Sequence, residues 1–343
     1  MKFIHIADLH MDTAFTSLEN KAKLGNTRRQ EQRETLKKVI DYIIENNIEF
    51  LFISGDFYEN NYIRKTTIEY INNLFLKIPE TKIFISPGNH DPLTRNSYYN
   101  KFTWADNVHI FKNKIEKVSL PNVNIYGFGF NNFYSDSSKV EEIELEEKNK
   151  INILVVHGDL DQSQTIEEQY NPISSAKLQK VGFDYVALGH IHNQMIKESL
   201  VYPGSLISLG FDEPGEHGMI VGEIKDKKLT HEFITIDERK FYEKPLDITA
   251  INEEELLIEI INNTDKEAMY KIILEGTRNF EINLSRILEQ ITNENILKIK
   301  DNTKTKYDLD KIKEENNLRG MFVKEMLEMG ADETAIEIGL EVL

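Results

Sequence analysis

Five short apolar runs, each closed by side chains able to hold a metal ion, constrain this chain more than any other feature. Phe3-Ile4-His5-Ile6 leads to Asp8 and His10, and Phe50-Leu51-Phe52-Ile53 leads to Gly55-Asp56. Lys82-Ile83-Phe84-Ile85 leads to Gly88-Asn89-His90-Asp91. Ile153-Leu154-Val155-Val156 leads to His157, and Tyr185-Val186-Ala187-Leu188 leads to His190 and His192. Runs of this length between turn residues read as buried strands. Between the first three lie segments with helical spacing, Leu36, Val39, Ile40, Ile43, Ile44 and then Ile68, Ile71, Leu74, Phe75, Ile78. Strand–helix–strand order predicts parallel strands with right-handed crossovers. Loops at one edge of such a sheet converge, so the polar strand ends are expected to meet.

Further strands are expected at Val123–Tyr126, near Met219 to Ile224 and at Leu229 to Ile234. The fold expected is α/β, two sheets packed face to face with helices outside. The pattern changes at Glu243-Lys244-Pro245-Leu246. This divides the chain into a domain over 1–242, a small α+β capping or DNA-binding domain over 243–306 and a helical segment over 307–343. The second domain is expected to hold helices through Leu256–Ile261 and Leu284–Ile291, with a strand through Tyr270–Leu274.

No apolar run approaches the roughly 20 residues needed to cross a bilayer. The apolar start is too short for a signal peptide and is interrupted by Asp8 and His10. Without cysteine there is neither a disulfide framework nor a thiolate metal site, and a cytoplasmic location is the simplest expectation. The net charge of −17 argues against broad nucleic-acid binding, which uses a basic surface. It does not exclude an enzyme whose metal ions supply positive charge locally.

Carboxylate, amide oxygen and imidazole suit Mn²⁺, Fe²⁺ or Zn²⁺ better than Ca²⁺. The strand ends carry more such side chains than one ion can take. Two ions sharing a carboxylate fit better, and Asp56 is the natural shared ligand. Ions about 3.5–4 Å apart clamp a phosphate and hold a hydroxide for in-line attack.

Asp8-Leu9-His10, Gly55-Asp56, Gly88-Asn89-His90-Asp91, His157-Gly158-Asp159 and Gly189-His190-Ile191-His192 resemble the five blocks of the calcineurin-like metallophosphoesterases, across roughly residues 1–235. His5 to His10, Tyr202-Pro203-Gly204-Ser205 and Leu209 to Gly215 are similar to the DNA-repair exonuclease branch, of SbcD and YhaO type. Asp56-Phe57-Tyr58-Glu59 departs from it at Glu59, where many members carry Asp. The C-terminal part is short for that branch.

The resemblance implies one metal held by Asp8, His10, Asp56 and His192 and another held by Asp56, Asn89, His157 and His190. His90 would contact the phosphate and protonate the leaving oxygen, and Asp91 would orient His90. It further implies a two-metal DNA exonuclease, Mn²⁺-dependent, paired with an SMC-like ATPase of SbcC type and homodimeric by habit. A helix with Leu318, Met321, Phe322 and Met326 would be the ATPase-docking element. A small-molecule phosphodiesterase is the alternative, and a non-catalytic scaffold is a third reading.

For DNA contact, Lys21, Lys23, Arg28, Arg29 and Arg33 form a basic cluster after the first block. Arg95, Tyr98 and Tyr99 follow the third and could hold a phosphate or stack on a base. His5, His109, His217, His231 and Trp104 are expected to be structural or superficial.

Overall fold

The computed structural model describes residues 1–15, 22–135, 138–161, 170–291 and 293–343, and of these the side chains of residues 22, 23 and 141 are not described. Lys21 and the side chain of Lys23 therefore lie outside the described residues. The described chain divides into two compact units, Met1–Phe241 and Tyr242–Leu343. The second takes in both the 243–306 and the 307–343 segments. Among the described residues no helix is long and apolar enough to cross a membrane.

The strands of the first unit are β1 (Lys2–Ile6), β2 (Phe50–Ile53), β3 (Lys82–Ile85), β4 (Val108–Ile110), β5 (Glu116–Ser119) and β6 (Val123–Gly127). They continue with β7 (Ile151–His157), β8 (Tyr185–Gly189), β9 (Met195–Lys197), β10 (Leu200–Tyr202), β11 (Gly218–Lys225) and β12 (Lys228–Thr235). One sheet has the order β12-β11-β1-β2-β3-β4 and the other β5-β6-β7-β8-β10-β9. β1, β2, β3 and β4 run parallel, as do β6, β7 and β8. The carboxyl ends that carry the polar blocks therefore point one way within each sheet.

Alternation decides what each face meets. Ile4, Ile6, Leu51, Ile53, Ile83 and Ile85 pack with Leu36, Val39, Ile40 and Ile43 of α1 (Ala22–Asn46) and with Ile68, Ile71 and Phe75 of α2 (Lys65–Phe75). The one-turn helix α3 (Tyr98–Lys101), capped by Ser97, adds Tyr99 to the same core. Phe3, Phe50, Phe52 and Phe84 face the other way. They pack on Ile125, Ile153, Val155 and Tyr185 of the second sheet. Leu154, Val156, Val186 and Leu188 cover that sheet's outer face, with Leu178 of α4 (Ser175–Val181). Fully buried Phe and Ile side chains are worth roughly 1.5–3 kcal/mol each relative to exposure, which makes the inter-sheet layer the rigid floor of the first unit.

His5 shares that layer and is fully buried. Its Nδ1 lies 2.9 Å from Tyr185 Oη and its Nε2 3.0 Å from Ser54 Oγ. Burial drives its pKa down to about 3, against a smaller upward push from a hydrogen bond to the Leu188 backbone. The folded chain thus keeps His5 neutral, whereas the unfolded chain protonates it below about pH 6.5. Its contribution is complete above that pH and is lost as pH falls from about 6.5 toward 3. We expect metal-free wild type to lose about 2 kcal/mol more than His5→Gln between about pH 7 and 5, read from denaturant midpoints. Equal losses would contradict this.

In the second unit, β13 (Phe241–Asp247), β14 (Met269–Glu275) and β16 (Ile296–Asp301) form a sheet; β15 (Thr277–Arg278) pairs with β17 (Lys304–Thr305). Helix α5 (Glu253–Asn262), with an Asn252–Glu255 capping box, covers the sheet through Leu256 and Ile260. Three short helices, α7 (Leu309–Ile312), α8 (Leu318–Glu328) and α9 (Glu333–Val342), follow α6 (Leu284–Gln290). They share a small core of Ile312, Val323, Ile336 and Leu340.

Candidate metal centre

The strand ends do meet. Asp8 N donates to Gly55 O (3.1 Å), His10 N to Asp56 O (2.8 Å) and Met11 N to Phe57 O (3.0 Å), so the first two blocks are zipped together by backbone. His190 N donates to both Asp8 oxygens at 3.0 Å, which joins the second sheet to the first. His90 N donates to Asp56 Oδ1 at 2.8 Å. Four of these residues sit at positive φ: Asp8 (51°), His10 (46°), Asp56 (49°) and His190 (112°). Such conformations are costly for residues with a Cβ and persist where surrounding structure enforces them. Gly88 is required for a different reason: a Cβ there would stand 2.3 Å from Asp56 Oδ1.

The side chains fall into overlapping sets whose ligand atoms lie within 4.8 Å of one another: Asp8, His10 and His192; Asp56, His157 and His190; and His10, Asp56 and His90. Asn89 Oδ1 lies 2.9 Å from His157 Nε2, beside the second set. Asp56 Oδ2 is 3.3 Å from His157 Nε2 and 3.8 Å from His10 Nε2, so one carboxylate faces both groups.

The proton positions test whether cations fit. His10 Nδ1 is 2.7 Å from Glu59 Oε1, and His192 Nδ1 is 2.5 Å from Glu213 Oε1. Each carboxylate claims the Nδ1 proton. With both rings neutral, as metal ligation requires, the two Nε2 lone pairs face each other 3.1 Å apart. His157 gives its Nδ1 proton to Ser54 O (2.9 Å), so its Nε2 lone pair faces Asn89 Oδ1, another acceptor. Among the described residues, buried His190 Nε2 has no hydrogen-bond partner. Acceptors aimed at acceptors, and an orphaned buried nitrogen, are unfavourable without a positive charge between them. A cation in each group resolves all of these contacts, and the donor set suits a borderline divalent ion.

In the metal-free chain protons take the place of the cations: burial lowers His157 and His192, yet Asp56 raises the first and Glu213 the second, each to about 9. Burial pushes Asp56 up, but the charges of His157, His10 and His90 outweigh it and hold the carboxyl well below its usual range. Burial lowers His90, yet the hydrogen bond to Glu59 and the charges of Asp56 and Glu59 raise it to about 9. Burial raises Glu59, and its bonds to His10 and His90 bring it down to about 2. His90 is the open member, 45% exposed.

Three expectations need correction. Asp91 does not orient His90: its carboxylate accepts from Asp56 N, Phe57 N, Gly88 N and Tyr99 Oη. It braces the two loops from a fully buried position beneath them, where these four donors surround it. Glu59 is the carboxylate at His90, 3.0 Å from Nδ1, and it also holds His10. Within the basic cluster, Arg28 and Arg33 turn inward. Arg28 is fully buried between Asp237, Glu31 and Ser208 O and lies 5.6 Å over the Phe241 ring. Arg33 is tied to Asp12 and Thr67, and Arg29 reaches Thr13 O and Asn26. Tyr98 packs on the first core and Tyr99 is buried. Of Arg95, Tyr98 and Tyr99, Arg95 alone stands exposed.

Sequence reading also passed over Glu213. Its Oε2 accepts from Ser205 Oγ (3.0 Å) and Leu209 N (2.9 Å), and Ser205 Oγ lies 2.9 Å from His217 Nδ1. His217 is thus a structural prop of the carboxylate that holds His192. A carboxylate behind a ligating imidazole fixes its tautomer and raises its basicity, typically worth about 10–100-fold in metal affinity. We therefore expect Glu213→Ala to weaken binding of one of two divalent ions by about 10–100-fold in equilibrium dialysis, with the other unaffected. Equal weakening of both would contradict the pairing of Glu213 with His192.

Paired imidazoles and carboxylates around two cation positions, at the open ends of parallel strands, define a dinuclear metallohydrolase. The chain belongs to the calcineurin-like phosphoesterase family, whose model matches residues 1–194, and it is a hydrolase of phosphate ester bonds. The family uses a dinuclear metal site. The chain is 24% identical over 298 residues to the uncharacterized metallophosphoesterase YhaO of Bacillus subtilis, covering 81% of this chain and 72% of that protein. It is 28% identical over 273 residues to the SbcD component of the SbcCD nuclease of Staphylococcus saprophyticus, covering 69% of each. It is 22% identical over 350 residues to the DNA double-strand break repair protein Mre11 of Archaeoglobus fulgidus, covering 85% of this chain and 75% of that protein.

Proposed function

We propose that the chain is a two-metal DNA exonuclease, hydrolysing phosphodiester bonds in DNA repair beside an SMC-like ATPase. The observation that carries this reading is the extent of similarity to SbcD and Mre11, which for Mre11 covers 85% of the chain and so runs past Phe241 into the second unit. A phosphodiesterase for small substrates has no need of that addition.

One ion would be held by Asp8, His10, Asp56 and His192 and the other by Asp56, Asn89, His157 and His190. When bound, the cations supply positive charge for the phosphate and acidity for a water molecule. The chain's own groups do the rest. Glu59 and Glu213 present His10 and His192 with Nε2 inward. His90, protonated and open to solvent, donates a proton to the leaving oxygen. Mn²⁺ is the metal we propose, with Fe²⁺ or Zn²⁺ compatible with the donors. The ATPase would dock on the C-terminal helices, where Leu318, Met321, Met329 and Ile338 are exposed. A homodimer and a cytoplasmic location belong to the same proposal.

A second reading, a small-molecule phosphodiesterase, is favoured by the charge of −17 and by the inward use of Arg28 and Arg33. Labelled linear DNA with Mn²⁺ separates the two. The nuclease reading predicts metal-dependent release of nucleotides. Cleavage of small phosphodiesters with intact DNA, even with the ATPase added, would overturn it.

A further inference from the structure

Among the described residues, one run of aromatic rings leads from the metal centre outward. The His190 ring lies 5.2 Å from that of His157 and 5.1 Å from that of Tyr170. Tyr170 in turn stacks on Tyr134, 5.7 Å between centroids and 22° between planes. Tyr134 is 66% exposed.

The tyrosine pair is anchored to the site by backbone. Ser135 and Tyr170 form a parallel bridge, and Asn171 N donates to Ser135 O at 2.6 Å. Asp159 N donates to Tyr170 O at 3.0 Å, and buried Asn171 donates through Nδ2 to His157 O at 2.6 Å. The rings are thus held in register with two of the ligating histidines. Leaving so much of an aromatic ring in water forgoes the gain of burying it. A flat ring stacked on a second ring and exposed to solvent presents a π-face, which every nucleobase can use.

We propose that Tyr134, backed by Tyr170, is the stacking platform for the nucleobase adjoining the phosphate held at the metal centre. The proposal rests on the nuclease reading and deepens it: the ligand is a nucleoside whose phosphate reaches the metals and whose base covers Tyr134. Stacking recognises any base, so the site selects nucleotides over other phosphodiesters without reading sequence. It replaces Tyr98 and Tyr99 as the aromatic contact, since those rings serve the core.

The test uses an oligonucleotide whose terminal 2-aminopurine is joined through a non-hydrolysable methylenephosphonate linkage, mixed with the full chain in the presence of Mn²⁺ so that the phosphonate reaches the metal centre and nothing is cleaved. Stacking quenches the fluorophore. We expect quenching with wild type, its loss in Tyr134→Ala together with about 5- to 100-fold weaker binding, and its return in Tyr134→Trp. An abasic terminus should weaken wild-type binding by a similar factor and add no further loss to Tyr134→Ala, as expected for two halves of one contact. Wild type that cleaves DNA with Mn²⁺ but shows no quenching, or additive losses, overturns the platform and leaves the nuclease reading intact. A chain that hydrolyses small phosphodiesters but neither binds nor cleaves DNA overturns both.

Discussion

Asp56→Asn abolishes hydrolysis, lowering kcat by at least about a thousandfold, and removes the paired binding of divalent ions. The Asp56 carboxylate faces both clusters, with Oδ2 at 3.3 Å from His157 Nε2 and 3.8 Å from His10 Nε2. An amide in its place keeps one oxygen but turns an NH₂ group toward a cation position. It also removes the negative charge that three neighbouring histidines stabilise. Two ions forced together without a shared anion repel. Several kcal/mol of charge stabilisation on the phosphate are lost with them, and each step of about 1.36 kcal/mol is tenfold in rate. The fold survives, because the amide oxygen introduced by the substitution still accepts from His90 N. Circular dichroism and kcat measured on one preparation check both halves of this expectation. Near-normal kcat in Asp56→Asn would contradict the shared-ligand role.

His90→Gln separates chemistry from metal binding. We expect kcat to fall by about 10²–10⁴-fold, the usual worth of a positioned acid, while two ions remain bound. The physical ground is its position. Its backbone N is fixed by Asp56, its Nδ1 by Glu59, and its ring lies 4.7 Å from that of His10 yet stays open to solvent. In the metal-free chain burial lowers the His90 pKa, yet Glu59 and Asp56 raise it to about 9; bound cations pull it down from there, and Glu59 opposes them to keep the acid form available. The sign of the pH effect follows. Activity that needs the protonated ring declines as pH rises through its pKa. Glu59→Gln, which removes the raising carboxylate, therefore moves that decline to lower pH. A pH–rate profile with an unmoved alkaline limb would contradict the role of Glu59. Loss of metal in His90→Gln would contradict that of His90.

The sheets were legible because their strands are short apolar runs buried on both faces, so Phe50–Ile53 and Lys82–Ile85 can be bounded from sequence alone. The cation cluster was legible for a related reason: a polar residue directly after such a run stands at the sheet edge, wherever else the chain goes. What stayed hidden depends on distant partners. Helix α1 begins at Ala22, well before its apolar stripe, because Arg28 and Gln32 are buried by polar contacts with Asp237, Ser208 O, Leu9 O and His10 O. Periodicity cannot register a buried arginine, so the cluster reads as a basic surface. Glu213 stands 21 residues beyond the histidine it supports, in a loop that reads only as a turn. Glu59 takes the task expected of Asp91, because the Asp91 carboxylate turns back to Gly88 N and the Asp56–Phe57 backbone while Glu59 reaches His90 from the second block.

Side chains from five separate blocks are placed to seat two cations side by side. Anomalous diffraction from crystals soaked in Mn²⁺ tests it most directly. Two peaks about 3.5–4 Å apart are expected, one among Asp8, His10 and His192 and one among Asn89, His157 and His190, with Asp56 between them. A single peak, or peaks away from these residues, would contradict it.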